Sequence, residues 1–471
     1  MEPSTVDLRA LMEPSSVAVV GASSTPGKTG YIILKGMMDH GYKGRIYPIN
    51  PKESEILGLR AFQNVNAISD PVDLVVIAVP FRGVKDVIKD SVENRAKFGL
   101  IVTAGFSEIG DLGANEEREI TEIARNGGMR LLGPNSIGMV NKSVDLVISI
   151  VPFKTWKNGG ISVVAQTGIF AGALAANVID TQNVGLGKSI DIGNRCDLTE
   201  QPLLEYFAED EHTNVVGLHM EGIREGRSLL EASKKVSLKK PIVVLKTGRS
   251  EVGAKAAASH TGSLAGDDIV ADAAFRQAGL IRANTLQEMI DWLKVFDYQP
   301  TPKSGRVGIV TLSGALGVIA SDMASNVGMK LAEIEDSTKN EIQKEIMPAW
   351  PVRNPADIWV SLGLEPERSH RIALKKMIED PNVDSLIVLL LALQPARCDM
   401  AKVFKEAVDA APSKPIVAGM MGAKEIEQEW FDALEGIGIP SYKGSDCAER
   451  ATSAMGALTT YGSILQSKRQ S

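Results

Sequence analysis

Two stretches of the chain share one pattern: residues 161–174 read ISVVAQTGIFAGAL, and residues 307–320 read VGIVTLSGALGVIA. Each begins with an apolar, β-branched run, reaches Thr-Gly or Ser-Gly, and continues in small residues that favour a helix. A strand that turns directly into a helix is the repeating unit of α/β proteins with parallel sheets. The two stretches therefore predict two related α/β domains in one chain.

The sequence around these stretches repeats in the same order, which indicates an internal duplication. Three further strand-like segments occur once in each copy: IDIGN (190–194) with ADIWV (356–360), NVVGL (214–218) with NVDSL (382–386), and KPIVV (240–244) with KPIVA (414–418). Similar segments near 278 and 437 close the copies. The Pro-, Gly- and Ser-rich stretch 298–305 lies between them and is predicted to be a linker.

The copies differ at two points. After its KPIV strand the first copy is longer, and the extra stretch GAKAAASHTGSLAGDD (253–268) contains His260. The first copy also has Glu221 directly after its NVVGL strand, where the sequence match places Leu389 in the second copy. A shared scaffold requires neither addition, so His260 and Glu221 are the candidate catalytic residues.

The chemistry of these two residues suits phosphoryl transfer. A neutral imidazole is a nucleophile near pH 7 that accepts a phosphoryl group and passes it on. The small residues around His260 allow this loop to approach another surface closely. No second His or Cys lies nearby, which argues against a metal site. A carboxylate at Glu221 would accept the Nδ1 proton of such a histidine. The alternative for His260 is a surface histidine without a catalytic role. The alternative for Glu221 is an acidic residue that is favoured at a helix N-terminus by the helix dipole.

Thr167-Gly168 and Ser313-Gly314 are candidate phosphate-binding residues. Each pair follows an apolar strand and opens a helix, where free N–H groups and a hydroxyl bind phosphate. An ordinary helix cap requires the same residue types. The occurrence of two matched copies favours two phosphate positions.

The first third of the chain predicts a doubly wound parallel sheet that binds a nucleotide. Apolar strand candidates alternate with helical stretches at 17–20, 45–49, 74–79, 100–103 and 130–132. The glycine-rich GASSTPGKTG (21–30) follows the first strand, but Ser23 replaces the second glycine of the dinucleotide fingerprint. Lys52 stands near the end of the second strand, where an NAD site requires an acid. A cation there suits a ribose phosphate, as in coenzyme A or NADP; the alternative is a purely structural turn.

Composition narrows the class of protein. The 471 residues are 44% hydrophobic and carry a net charge of −7, which gives no general attraction to nucleic acid or anionic membranes. The three cysteines are widely spaced, as in a protein of the reducing cytosol. The longest apolar run, 386–393, suits a buried strand and is too short for a bilayer, and the N-terminus does not resemble a signal peptide. We therefore expect a cytoplasmic protein without a metal centre.

Seven motifs together resemble one family, the α subunits of ADP-forming (NDP-forming) acetyl-CoA synthetases, and more distantly succinyl-CoA synthetase. The motifs are VAVVGASSTPGKTG (17–30), YPINPK (47–52), VDLVVIAVP (72–80), LLGPNSIG (131–138), MEGIREGR (220–227), KPIVVLKTGR (240–249) and AAASHTGSLAG (256–266). The resemblance covers essentially the whole chain. It implies a Rossmann-like CoA-binding domain (1–143), a CoA-ligase domain with a phosphohistidine loop (144–300) and a second flavodoxin-like CoA-ligase domain (301–471).

The resemblance also implies an activity: acyl-CoA, ADP and phosphate react reversibly to acid, ATP and CoA through an acyl phosphate. His260 would carry the phosphoryl group, and Glu221 would stabilise it. The expected CoA contacts are Gly21, Ala22, Ser23, Pro26, Lys52, Val79, Pro80, Thr103, Gly105 and Asn135. ADP or ATP and Mg²⁺ would bind to an ATP-grasp β subunit, in an α2β2 heterotetramer, because the chain has no room for that domain.

Two other classes of function remain open. An NAD(P)-dependent dehydrogenase is disfavoured by Ser23 and Lys52, and a non-catalytic CoA-sensing or scaffold protein by the joint presence of His260 and Glu221. The sequence leaves open which small or medium carboxylic acid is used, the choice of ADP or GDP, and the physiological direction.

Overall fold

The computed structural model describes residues 7–152, 157–168, 182–261, 267–361 and 365–470, except for the side chains of 258–261 and 469–470. The chain forms two compact units, Met1–Asn284 and Thr285–Ser471. Within the described ranges, no helix has both the length and the apolar character needed to cross a membrane.

The first unit contains two large sheets and one small antiparallel sheet of two strands. Its strands are β1 (Ser16–Val20), β2 (Arg45–Ile49), β3 (Glu55–Ile56), β4 (Leu59–Arg60), β5 (Leu74–Ile77), β6 (Phe98–Ile101), β7 (Arg130–Leu132), β8 (Gly138–Asn141), β9 (Leu146–Ser149), β10 (Ile161–Ala165), β11 (Leu186–Asp191), β12 (Val215–Met220), β13 (Ile242–Lys246) and β14 (Ile281–Ala283). Strands β3 and β4 form the small sheet. Its helices are α1 (Arg9–Met12), α2 (Thr29–Asp39), α3 (Val84–Glu93), α4 (Asp111–Asn126), α5 (Glu200–Glu209), α6 (Gly226–Val236), α7 (Glu251–Thr261) and α8 (Asp268–Ala278).

The first sheet has the strand order β2-β1-β5-β6-β7, and all its pairs are parallel. The prediction of a Rossmann-like doubly wound sheet is therefore confirmed. Apolar residues of β1, β5 and β6, such as Val19, Val76 and Leu100, are fully buried because helices cover both faces. Strands β5 and β6 end two residues earlier than predicted.

The second sheet has the order β14-β13-β12-β10-β11-β8-β9. Strands β10 to β14 pair in parallel, and the hairpin β8–β9 adds to β11 in antiparallel fashion. The hairpin was not predicted, and it brings Gly138–Asn141 into the second sheet. The second sheet thus begins at Gly138, slightly before the domain boundary that was predicted at 143.

The second unit contains the third large sheet. Its strands are β15 (Arg306–Thr311), β16 (Lys330–Leu331), β17 (Ala356–Asp357), β18 (Ser385–Ala392), β19 (Ile416–Gly422) and β20 (Ser441–Lys443). Its helices are α9 (Leu286–Tyr298), α10 (Gly314–Asn326), α11 (Asp336–Ile346), α12 (Pro366–Glu379), α13 (Met400–Ala410), α14 (Lys424–Gly436) and α15 (Cys447–Gln470). The order is β16-β15-β18-β19-β20, with β17 also paired to β15. Helix α9 groups with this unit, ahead of the predicted boundary at 300.

The strand registers reproduce the duplication seen in the sequence. Ala165 pairs with His219 and Asp191, and Thr311 pairs with Leu389 and Asp357 in the same way. The first copy places the two helices α7 and α8 between its last two strands, whereas the second copy places α14 there.

One detail of the sequence match is wrong. Because His219 is equivalent to Leu389, Glu221 corresponds to Leu391 and not to Leu389. The sequence match aligned the Asn-Val pairs that precede the strands, but the loop before β18 is two residues longer than the loop before β12. The conclusion that the second copy has an apolar residue in place of Glu221 is unchanged.

Candidate functional site

The loop after β1 brings the start of α2 close to the first sheet. Gly21 has φ +91°, and a Cβ atom on it would lie 2.3 Å from the carbonyl oxygen of Ala78. A Cβ on Gly30 would lie 2.0 Å from the carbonyl oxygen of Gly21. Only glycine permits this approach, which places the N-terminus of α2 at the carboxyl edge of the sheet, a favourable position for a phosphate group.

A cavity of about 260 Å³ opens beside this loop. Its lining includes Gly21, Asn50, Asn64 and Val79. The Asn50 side chain donates to the carbonyl oxygen of Ala22 (2.9 Å) and accepts from the backbone N–H of Lys52 (2.8 Å), so it holds the two loops together. Lys52 is exposed and follows Pro51, which lines the cavity.

The other predicted CoA contacts lie in loops at the same edge. Thr103 Oγ1 donates to the carbonyl oxygen of Val79 (2.6 Å), and the N–H of Asn135 donates to the carbonyl oxygen of Thr103 (3.0 Å). Ser23 is buried and accepts from the N–H of Thr25, whereas Pro26 and Pro80 are exposed. Gly105, at φ +107°, follows Thr103 in the next turn. The fold therefore gathers all ten residues at one edge of one sheet.

The carboxyl edges of the first two sheets meet. Ser136 Oγ donates to the carbonyl oxygen of Asp191 (2.6 Å), and the N–H of Ile137 donates to Asp191 Oδ2 (2.7 Å). A Cβ on Gly193 would lie 2.1 Å from the carbonyl oxygen of Pro134, so the two loops are in direct contact. A ligand at the edge of the first sheet is thereby directed towards the strand ends of the second.

A second contact between the sheets involves Glu108. Its Oε1 accepts from the N–H of Gly105, and its Oε2 accepts from the side chain of Asn194 (both 2.6 Å). Burial raises the pKa of Glu108, but these hydrogen bonds outweigh burial and hold the pKa below its usual range. The carboxylate thus fixes the turn after β6 against the loop after β11.

Glu221 lies at the carboxyl end of β12, directly after Met220, and is 8% exposed. The side-chain oxygen Oε1 of Gln166 accepts from the N–H groups of Glu221 (2.8 Å) and Gly222 (3.1 Å). Gln166 Nε2 donates to the carbonyl oxygen of Gly222 (3.0 Å) and to the Glu200 carboxylate. The peptide that carries the candidate carboxylate is therefore held by one side-chain amide.

Arg195 supports the same peptide from the other side. It donates to the carbonyl oxygen of Gly222 and to Glu200 Oε1, both at 3.0 Å. Burial lowers the pKa of Arg195, and the nearby Glu200 carboxylate opposes this. An arginine remains charged under such conditions, so a buried cation lies close to Glu221.

The helix that contains His260 starts at the same edge. Helix α7 (Glu251–Thr261) begins five residues after β13 ends, and Lys246 at the end of β13 pairs with Met220. The helix also packs against the short 3₁₀ turn Ser107–Ile109, which follows β6 of the first sheet. The His260 side chain lies outside the described residues, so its predicted pairing with Glu221 stays a prediction.

The two candidate phosphate positions belong to different units. Thr167 and Gly168 follow β10 directly after Gln166, and the residues that come next lie outside the described ranges. Ser313 precedes α10 and makes no side-chain cap, while a Cβ on Gly314 would lie 3.2 Å from Asp357 Oδ2. A carboxylate therefore borders the second position.

Gln166, Arg195 and Glu200 were not among the predicted site residues. The duplication could have indicated Gln166, because the strand register makes the apolar Leu312 its equivalent in the second copy.

Family models match almost the whole chain. A CoA-binding domain matches residues 15–142, a succinyl-CoA ligase-like flavodoxin domain matches 158–296, and a ligase-CoA domain matches 307–463. The fold and the site thus define a CoA ligase of the succinyl-CoA ligase type, with a CoA-binding first domain.

Relatives define the family further. The α subunit of ADP-forming acetate–CoA ligase I from Pyrococcus furiosus is 38% identical over 458 residues, which cover 96% of this chain and 97% of that protein. ADP-forming acetate–CoA ligase II from Archaeoglobus fulgidus is also 38% identical, over 97% of this chain and 67% of that protein. The chain belongs to the ADP-forming acetate–CoA ligase family, and it aligns with that family's α subunits.

A solved structure agrees with this assignment. Dinucleotide-forming acetyl-coenzyme A synthetase 1 of Ca. Korarchaeum cryptofilum, in complex with phosphate and ADP, superimposes with a TM-score of 0.91 at 35% identity. The match covers 98% of this chain and 99% of that one. The predicted family and fold class are confirmed.

Proposed function

We propose that the chain interconverts an acyl-CoA and phosphate with a carboxylic acid and CoA, and conserves the released energy as ATP through a phosphohistidine at His260. The observation that carries the proposal is the meeting of two sheet edges. The edge predicted to bind CoA contacts the end of β11 through Ser136 and Asp191, and Glu221 follows β12 in the same sheet as β11. A thioester extending from the first edge would reach the second.

The reaction follows in three steps. A phosphate oxygen attacks the thioester carbonyl, the C–S bond breaks, and CoA leaves as a thiolate that takes up a proton. An imidazole nitrogen of His260 then attacks the phosphorus of the acyl phosphate, and the acid leaves as a carboxylate. Finally a terminal oxygen of ADP attacks phosphohistidine, which breaks the P–N bond and forms ATP.

This chain supplies the first two steps with specific groups. Each unit has its own candidate phosphate position, Thr167-Gly168 in the first and Ser313-Gly314 in the second, whose backbone N–H groups are proposed to bind phosphoryl oxygens. The Glu221 carboxylate would accept the imidazole Nδ1 proton, which orients the ring and balances charge on the phosphorylated form. We propose that ADP and Mg²⁺ bind to an ATP-grasp partner in a cytoplasmic α2β2 assembly.

The dependence on a partner is directly testable. We expect the purified 471-residue chain to form no ATP from acyl-CoA, ADP and phosphate, and to do so once its ATP-grasp partner is added. The physical reason is that the three matched domains are a CoA-binding domain and two ligase domains, whereas we propose that ADP binds to the ATP-grasp partner. A luciferase assay measures the product. Sustained ATP formation by the partner-free chain would contradict this proposal, and a series of acids tested with the complex would identify the substrate.

The CoA site yields a second prediction, at Lys52. Lys52→Ala is expected to weaken CoA binding about 10-fold, the scale of one charge-assisted hydrogen bond, and to leave dephospho-CoA binding nearly unchanged. Calorimetric titration with both ligands measures the difference. The exposed Lys43 precedes the other end of β2 and provides the control, since Lys43→Ala should affect neither ligand. Equal losses for both ligands with Lys52→Ala would rule out a phosphate contact.

The alternatives lead to different measurements. A dehydrogenase would bind NADH or NADPH in the cavity beside Asn50, so fluorescence titration with either nucleotide tests that possibility. A CoA-sensing scaffold would bind CoA but would not acquire phosphate on His260.

A further inference from the structure

The side-chain amide of Gln166, which directly follows β10, binds the peptide that follows the neighbouring strand β12. Its oxygen accepts the N–H groups of Glu221 and Gly222, and its nitrogen donates to the carbonyl oxygen of Gly222. Successive N–H groups of an extended strand point to opposite sides, so a single acceptor for both shows that the chain leaves the strand conformation here. These hydrogen bonds determine the orientation of the amide. If its oxygen and nitrogen were exchanged, its N–H group would point at the backbone N–H groups of Glu221 and Gly222.

Two buried charges hold the amide in place. The side chains of Arg195 and Glu200 are 2% and 7% exposed, and they form an ion pair at 3.0 Å. Glu200 also accepts from Gln166, and Arg195 also donates to Gly222. Arg195 has φ +59°, a left-handed conformation that is unfavourable for a residue with a side chain. We call Gln166, Arg195 and Glu200 the Gln166 clamp.

The second copy shows that the scaffold does not require the clamp. Leu312 is equivalent to Gln166, and Leu391 is equivalent to Glu221. In that copy the strand does not end: β18 continues to Ala392 and remains paired with β19. Within the described residues, Gln166 and the earlier strand end therefore occur together in the copy that has the His260 insertion.

We propose that Gln166, held by Arg195 and Glu200, is a positioning residue for Glu221 during phosphoryl transfer to His260. The proposal rests on the function proposed above. Since β12 ends at Met220 and the clamp fixes the next peptide, the clamp would set the direction of the Glu221 side chain. Leu391, in a continuous strand, has no such freedom.

The test is a double-mutant cycle between Gln166→Leu and Glu221→Gln. The measured quantity is the rate at which the full chain, with its partner and Mg²⁺, acquires acid-labile phosphate from acetyl phosphate. Gln166→Leu introduces the residue of the second copy, and we expect the maximal rate to fall about 10²-fold, the scale of a misplaced catalytic group. The acetyl phosphate concentration at half the maximal rate should change much less.

The cycle separates positioning from general damage. If Gln166 acts through the Glu221 carboxylate, adding Gln166→Leu to Glu221→Gln should cost less than threefold more, because the effects overlap. Leu312→Ala is the matched control: it disturbs the equivalent position of the second copy and should combine independently with Glu221→Gln. Gln166→Glu keeps the size and the acceptor oxygen, and it serves in the same cycle if Gln166→Leu does not fold.

The outcomes are distinct. An unchanged maximal rate, or an equal loss from Gln166→Leu in both backgrounds, would overturn the positioning role while leaving the proposed function intact. Failure of the wild-type complex to acquire phosphate would overturn both, because the clamp would then have no step to serve.

Discussion

His260→Ala is expected to abolish both phosphate incorporation into the chain and overall turnover. Removal of a covalent nucleophile costs on the order of 10⁶-fold in rate, and no water molecule can conserve the phosphoryl group for ATP. The measurement is labelling with radioactive phosphate from acyl-CoA or from ATP, followed by acid and base treatment. A phosphate on histidine is lost in acid and retained in base, whereas a phosphate on Ser259 or Ser263 is stable in acid.

Among the described residues, burial keeps two of the other histidines out of reach of a phosphoryl donor. Burial lowers the pKa of His219 to about 3 and that of His370 to about 4, and both residues are enclosed. His40 contacts the carbonyl oxygen of Gly36 at the far end of α2. Burial also raises the pKa of each cysteine thiol to about 12, which removes thiolate chemistry.

His212 provides the matched control for this experiment. It is exposed, but it precedes the amino end of β12, whereas Glu221 follows the carboxyl end. A six-residue strand separates the two by about 20 Å. His212→Ala should therefore retain labelling and turnover, and CoA should still bind to both variants. Near-normal turnover by His260→Ala would mean that the insertion is structural and that another route forms ATP.

The strands were predictable because their signals are local. The runs at 17–20 and 130–132 are apolar and end at Gly or Pro turns, and they form β1 and β7 nearly as predicted. Parallel order then followed from the alternation with helices, and the strand ends identified the edge where ligands bind. The ten predicted CoA contacts lie at that edge for the same reason.

The Gln166 clamp was not predictable in the same way. Gln166, Arg195 and Glu221 approach each other only after β10, β11 and β12 have paired. Their separations along the sequence therefore do not predict the contact. The mismatch of Glu221 with Leu389 has a related cause, since a two-residue difference in loop length is invisible until the strand register is known. Comparison of the two copies offered partial information, through Gln166 and Leu312.

Glu221→Gln is expected to slow phosphorylation of His260 by roughly 10²–10⁴-fold, the usual effect of removing a positioned proton-handling group. The amide has nearly the same size as the carboxylate, so the fold should persist. The backbone N–H of Glu221 would still donate to Gln166, because that contact does not involve the side chain. On the proposed pairing, the change removes a negative charge beside the phosphorylated imidazole, and with it an acceptor for the Nδ1 proton.

The decisive comparison for Glu221 is between single steps. Glu221→Gln should slow phosphoenzyme formation in rapid-quench experiments while the affinity for CoA stays unchanged, since the predicted CoA contacts lie on the other sheet. Glu225 belongs to the same segment but is exposed, so Glu225→Gln removes an equal charge nearby and should have little effect. If both variants slow the step equally, the rate depends on the local negative potential and not specifically on the carboxylate at the end of β12. If neither does, His260 is oriented by another group, and Glu221 serves only to end the strand.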